Sequence, residues 1–188
     1  KLENFYATIN SRRNASSPGI NMIPYKVYKK CTRIASFLFR IFQSVFKTNN
    51  IPIQWRIASE VYIPKVKPPD PERIEDFRPI ALLNVEGKLF FSLLSRRLEN
   101  HIVKGNNLIN LSSQKGCMPK VPGCWEHMSL VWDQLQNARE NKVSLAAVWL
   151  DIANAYGAIP HELIFFALER YGIDVLRIDL LKSYYRGL

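Results

Sequence analysis

An acid followed by an aromatic side chain stands out near the end of the sequence. Asp151 directly follows the apolar run 143–150, and Tyr156 comes five residues later among small residues. A carboxylate after a strand buried on both faces lies at an edge where a divalent cation can reach it, and Mg²⁺ prefers carboxylates together with substrate phosphates. An aromatic ring beside such a site can stack on a sugar and exclude a 2′-hydroxyl. The alternative is that Asp151 forms a turn or caps a helix and that Tyr156 is an ordinary core residue.

Positive charge is concentrated at the start of the chain. The net charge is +10, and residues 1–50 hold nine Lys and Arg against one acid, Glu3. A one-sided basic surface favours a polyanion as partner, because phosphate backbones bind through counterion release. The alternatives are a solvated helix face and, less favoured, binding to a membrane surface. We assign nucleic-acid binding to five cations of this region: Arg12, Arg13, Lys26, Lys29 and Lys30.

Several other classes of protein find little support. The longest uninterrupted apolar run, residues 145–150, is much shorter than the roughly 20 residues that span a bilayer. Three cysteines do not indicate a disulfide framework and suit a reducing compartment. Cys117, Cys124 and His127 offer an incomplete set of zinc ligands, because a closed site needs four.

The pattern of apolar residues predicts the elements that position these side chains. Apolar residues at helical spacing predict a helix from about 34 to 47, and further helices near 89–102, 125–138, 161–171 and 174–186. The segments 57–63 and 79–83 predict the two strands of a long hairpin, joined through the proline-rich stretch 64–71. The run 143–150 predicts a buried strand. The order of these elements is typical of an α+β fold.

Five segments then appear in an order that resembles the reverse transcriptases of non-LTR, LINE-type retrotransposons. LDIANAYGAIPH at 150–161 resembles the first catalytic motif of that family. The other four are similar to its entry, fingers and pre-palm motifs: PGINMIP at 18–24, WRIA with VYIPK at 55–65, FRPIALLN with Lys88 at 77–88, and QKGC at 114–117. Each segment alone is weak evidence, whereas the ordered set covers most of the chain.

The resemblance implies a fold and a set of roles. It implies α+β fingers, formed by helices and a β-hairpin over residues 1–142, followed at 143–188 by the first strand and helix of a truncated palm. Asp151 would bind both catalytic Mg²⁺ ions, with the carbonyl of Ile152 as a further ligand. The incoming deoxynucleotide would be contacted by Lys65, Arg78 and Asn154, and Tyr156 would act as the steric gate against ribonucleotides. Gln114 would lie near the template.

The resemblance also implies partners and a limit on activity. The expected partners are an RNA template, a DNA primer, deoxynucleoside triphosphates, the remaining palm and thumb, and an endonuclease domain, with no membrane and with residence in the nucleus or cytoplasm. The family's second catalytic motif contains an Asp-Asp pair, and no such pair occurs in these 188 residues. We therefore expect a fragment of an RNA-directed DNA polymerase that is inactive alone. The alternatives are a decayed or domesticated fragment that only binds nucleic acid, and a basic protein-interaction module.

Overall fold

The computed structural model describes residues 2–65, 73–105, 108–116, 118, 121, 123–152 and 155–186, without the side chains of residues 104, 105 and 156. Two strands form one antiparallel sheet, β1 (Ala58–Pro64) and β2 (Phe77–Leu83). The helices are α1 (Leu2–Asn10), α2 (Tyr25–Lys30), α3 (Thr32–Thr48), α4 (Val85–Glu99), α5 (Gly123–Glu140), α6 (Ala155–Ala158), α7 (His161–Arg170) and α8 (Val175–Tyr185). Short helical turns occupy Ile53–Trp55, Ile74–Asp76 and Asn100–Gly105. The α+β composition predicted from the sequence is therefore confirmed.

The longest helix of the amino-terminal half is α3, and its carboxyl-terminal end follows from its sequence. The chain leaves the helix at Asn49, which adopts a left-handed conformation with φ 53° and donates its N–H to the carbonyl of Val45. Ala35, Leu38 and Val45 lie on the buried side of the helix, but Ile34 and Phe37 are exposed. The predicted helix is thus confirmed, and its buried face is the one that carries Ala35, Leu38 and Val45.

Aromatic side chains from α1, α3 and α4 form the centre of the main core. Phe42 contacts Phe5, Trp55 and Phe90 edge to face, with ring centroids 5.2 to 5.5 Å apart. All four rings are at most 5% exposed. Such edge-to-face pairs add to the free energy gained from removing the rings from water. Leu180 of α8 completes this core from the far end of the chain.

A smaller apolar cluster joins α7 and α8. Phe165, Leu168 and Ile178 are buried together, and Leu98 at the end of α4 packs against them. The side chain of Asp174 caps α8 by accepting a hydrogen bond from the N–H of Leu176 at 2.9 Å. The two helices predicted near 161–171 and 174–186 are confirmed.

The predicted buried strand at 143–150 is wrong for the described structure. This segment has no assigned secondary structure and is exposed throughout, with Leu150 93% accessible. The apolar stripe of α5 is also exposed: Trp125 is 76% and Trp132 61% accessible, and Cys124 is exposed as well. A strand needs a hydrogen-bonding neighbour, and among the described residues β1 and β2 pair only with each other.

Candidate nucleotide-binding and nucleic-acid-binding site

The hairpin brings Lys65 and Arg78 to the end where β1 leads into β2. The register pairs Ile63 with Arg78 and Pro64 with Phe77. The pairing is extended by the N–H of Lys65, which donates to the carbonyl of Asp76 at 2.8 Å. Lys65 directly follows β1 and Arg78 is the second residue of β2, so both lie at the same end of the hairpin, although they are 13 residues apart in the chain.

Both cations are exposed, and no carboxylate among the described residues forms an ion pair with Arg78. The ammonium of Lys65 donates to the carbonyl of Glu75. Arg78 forms no ion pair with a described residue, and Glu75 pairs instead with Arg73 at 3.4 Å. The guanidinium of Arg78 is therefore available to an anionic ligand rather than held by Glu75 or Asp76.

Hydrogen-bonded polar residues around Asn84, the polar hub, join the end of β2 to the amino-terminal part of the chain. Asn84 follows β2 and is 6% exposed. Its side-chain oxygen accepts from the N–H of Asn21 at 3.1 Å, and its side-chain nitrogen donates to the carbonyl of Gln54 at 3.1 Å. A Cβ on Gly19 would lie 2.5 Å from the carbonyl carbon of Leu83. The backbone of the 18–24 segment can approach this closely only because Gly19 has no side chain.

Glu86 and Lys88 in the first turns of α4 complete the hub. The carboxylate of Glu86 accepts hydrogen bonds from the Asn21 amide at 3.0 Å and from the Tyr28 hydroxyl at 2.5 Å. Burial, followed by the hydrogen bond to Glu86, raises the pKa of Tyr28 far above its ordinary value. Lys88 donates to the carbonyl of Ser17 at 2.9 Å, and burial lowers the pKa of its ammonium. Glu86 was not identified as a site residue from the sequence. The feature that could have identified it is its position between Asn84 and Lys88.

Asp151 is exposed, and no hydrogen bond or ion pair joins its side chain to a described residue. Ile152 beside it is 66% accessible. Within the described residues no group of three or more His, Cys, Asp or Glu side chains could hold a metal ion. A single carboxylate does not fit a Mg²⁺ pair, so the described residues do not build a metal site by themselves.

The remaining predicted site residues are placed only in part. Asn154 lies outside the described residues, and so does the side chain of Tyr156, whose backbone belongs to α6. Gln114 is exposed and donates to the carbonyl of Gly116 at 3.0 Å. Cys117 also lies outside the described residues, so the zinc hypothesis with Cys124 and His127 stays a prediction.

The five basic residues assigned to nucleic-acid binding differ in their surroundings. Arg13, Lys26 and Lys30 are exposed. Arg12 is half-buried. Burial raises the pKa of Tyr25, and the positive charge of Arg12 offsets part of that increase. Lys29 donates to the backbone carbonyl of Arg12. These contacts bring Arg12 and Lys29 together in a structural role, which leaves the other three cations as the accessible ones.

Comparison with known proteins identifies relatives along nearly the whole chain. No family model matches the sequence. The retrovirus-related Pol polyprotein from the type-2 retrotransposable element R2DM of Drosophila melanogaster is 28% identical over 174 residues, which is 92% of this chain. The Transposon TX1 uncharacterized 149 kDa protein of Xenopus laevis is 26% identical over 148 residues, or 78% of this chain. A Drosophila melanogaster protein named "Probable RNA-directed DNA polymerase from transposon BS" is 25% identical over 163 residues, or 86% of this chain.

The relatives are much longer than this chain. It spans 15% of the R2DM polyprotein, 11% of the TX1 protein and 18% of the BS protein. Each of the three is named as the product of a transposon or a retrotransposable element. The resemblance inferred from the ordered motifs is therefore confirmed, and a fragment of a LINE-type reverse transcriptase is supported. Among the described residues, no helix is sufficiently long and apolar to cross a membrane.

Proposed function

We propose that this relative of LINE-type retrotransposon polyproteins contributes the fingers and the start of the palm to an RNA-directed DNA polymerase. The observation that carries the proposal is the placement of Lys65 and Arg78 at the end of the hairpin where β1 leads into β2, where Arg78 has no carboxylate partner among the described residues. Such a pair suits a triphosphate, because the planar guanidinium binds two phosphate oxygens and the ammonium acts as a movable charge.

The other roles follow from the matched motifs. Asp151 and the carbonyl of Ile152 would bind Mg²⁺, which supplies charge neutralisation of the phosphates when bound. Tyr156 would exclude ribonucleotides, Asn154 would lie close to the triphosphate, and Gln114 would contact the template. Arg13, Lys26 and Lys30 would bind the backbone of the RNA template or DNA primer through their accessible charges.

We do not expect these 188 residues to polymerise alone. Asp151 is a single exposed carboxylate, and the sequence contains no Asp-Asp pair to supply further metal ligands. The missing ligands would come from a remaining part of the palm, which together with a thumb and an endonuclease domain would complete the polyprotein.

The experiment compares nucleotide incorporation by the full polyprotein and by two variants. On a primed RNA template, Asp151→Ala should lower incorporation of deoxynucleotides by at least about 10³-fold, because the metal ions neutralise the charge that develops in the transition state. Asp133→Ala removes an equally exposed carboxylate from α5 and should leave incorporation within about twofold. Full activity of the Asp151 variant would refute the catalytic assignment.

A second candidate function is nucleic-acid binding without catalysis, as a decayed or domesticated retroelement fragment. The observation that favours it is the charge of the isolated chain, +10 with most of the excess in residues 1–50. Binding of this kind requires neither Asp151 nor a metal ion. It would be distinguished by a polyprotein that binds RNA and incorporates no nucleotide.

A further inference from the structure

A cavity lined by side chains of four helices does not include the hairpin residues Lys65 and Arg78. It has a volume of about 560 Å³ and lies where α1, α3, α4 and α8 meet. Small-molecule sites commonly enclose roughly 300 to 1,000 Å³. Its walls include Phe39, Phe46 and Leu93, whereas neither Lys65 nor Arg78 contributes to the lining.

Two guanidinium groups lie against one aromatic ring of this cavity. The Cζ atom of Arg97 is 4.7 Å from the centroid of Phe46, and that of Arg177 is 5.3 Å from the same centroid. Arg97 comes from α4 and Arg177 from α8, so the pair is formed only in the folded chain. The ring stabilises both cations through its negative face, but it does not neutralise them.

The paired charges have no carboxylate partner in the part of the chain that the structure describes. Partial burial, followed by the charge of Arg177, lowers the pKa of Arg97. Asp174 lines an adjoining cavity with both arginines, yet its carboxylate caps α8 and makes no ion pair with either. Lys47 adds a third cation to the main cavity, and no acidic residue belongs to its lining.

We propose that this cavity binds a nucleotide, with the phosphate on Arg97 and Arg177 and the base against the aromatic wall. A phosphate would relieve the repulsion between the two guanidiniums and accept their N–H groups in a forked geometry. A flat base suits the Phe39 side of the wall, because the guanidiniums lie against Phe46 and stacking on an aromatic side chain is favourable for every base. The nucleotide would be a free mononucleotide or one residue of single-stranded RNA, and both present the same chemistry.

The test titrates the 188-residue chain and follows the Arg97 and Arg177 side-chain N–H signals and the Phe46 ring signals by NMR. The ligands are adenosine monophosphate, adenosine, inorganic phosphate and an eight-residue oligoadenylate. We expect these signals to shift with adenosine monophosphate or the oligoadenylate, and affinity for adenosine and for inorganic phosphate to be at least tenfold weaker. Saturation by the mononucleotide identifies a free nucleotide as ligand, whereas a response to the oligoadenylate alone identifies single-stranded RNA.

Substitutions locate the binding and provide the matched control. Arg97→Gln with Arg177→Gln should weaken binding of the responding ligand at least tenfold. Arg139→Gln, at an exposed position of α5 outside the cavity, should change it less than twofold. Circular dichroism establishes whether each variant is folded, and the titration of the unsubstituted chain does not depend on any variant. Equal losses in folded variants, or no shift of the Arg97, Arg177 and Phe46 signals with any ligand, would overturn the proposal.

Discussion

At the scale of single residues, contacts that no local pattern reveals hold the entry segment against the hairpin. Gly19 is buried against Leu83 and Asn84, and Asn21 reaches Asn84 and Glu86 across more than 60 residues of sequence. The motifs contain Gly19, Asn21 and Asn84 but not Glu86, and the structure adds what these residues do. They tie the end of β2 to the segment before α2, and so they position Lys65 and Arg78 indirectly through β1 and β2.

Replacing Gly19 by alanine should therefore destabilise the fold. The added Cβ would overlap backbone atoms of Leu83 and Asn84, and backbone cannot rotate away as a side chain can. We expect Gly19→Ala to lower the free energy of unfolding by about 1 to 3 kcal/mol, measured by urea denaturation with circular dichroism. Gly116→Ala is the matched control, because its nearest neighbour, the Gln114 side-chain nitrogen, is 3.9 Å away. Equal effects of the two substitutions would show that the close approach at Gly19 is unimportant.

The chemistry of the candidate site was only partly predictable from residue types. Lys65 and Arg78 were identified through the motifs, and their position at the same end of the hairpin follows from the register that β1 and β2 adopt. The roles of Arg12 and Lys29 were not predictable, because burial beside Tyr25 and a bond to a backbone carbonyl depend on tertiary packing. The paired arginines of the cavity were missed for the same reason, since 80 residues separate them in sequence.

At the scale of elements, periodicity predicted which segments form helices and strands, but it predicted burial less well. The hairpin, α3, α7 and α8 lie near their expected places. The run 143–150 and the apolar stripe of α5 are exposed instead. An apolar pattern indicates that a face requires other residues to pack against it. It does not indicate whether this chain provides those residues. His127, Met128, Trp132 and Trp149 line an apolar cavity of about 270 Å³ on this exposed surface.

Hydrogen exchange should separate the two kinds of β-prone segment. Backbone amides of 144–150 make no hydrogen bond to a described residue, whereas β1 and β2 form a paired ladder. In the 188-residue chain we expect residues 144–150 to exchange at close to the unprotected rate and the paired amides of β1 and β2 to be at least tenfold slower, followed by mass spectrometry. Protection of 144–150 equal to that of the hairpin would mean that this segment is paired in solution.

At the scale of the whole molecule, the distribution of charge is uneven, as the sequence alone establishes. Residues 1–50 carry +8 of the net +10, and the remaining residues carry only +2. The fold assigns part of this charge to structure, through Arg12 and Lys29, and leaves Arg13, Lys26 and Lys30 accessible. Electrostatic attraction of this kind acts on any phosphate backbone, whatever its sequence.

RNA binding by the 188-residue chain should therefore weaken steeply with salt, and Lys26 and Lys30 should account for part of the slope. Each phosphate contact on a single strand contributes about 0.7 to the slope of log K against log salt concentration. Lys26→Gln with Lys30→Gln should reduce the magnitude of that slope by about 1.4. The slope is measured by fluorescence anisotropy with a labelled single-stranded RNA between about 50 and 200 mM salt. Over that range, six contacts on a single strand change the binding constant by roughly 300-fold. Arg139→Gln with Arg170→Gln removes the same charge from exposed positions of α5 and α7 and should leave the slope nearly unchanged. If both pairs reduced the slope equally, net charge rather than the exposed face of α2 would determine binding.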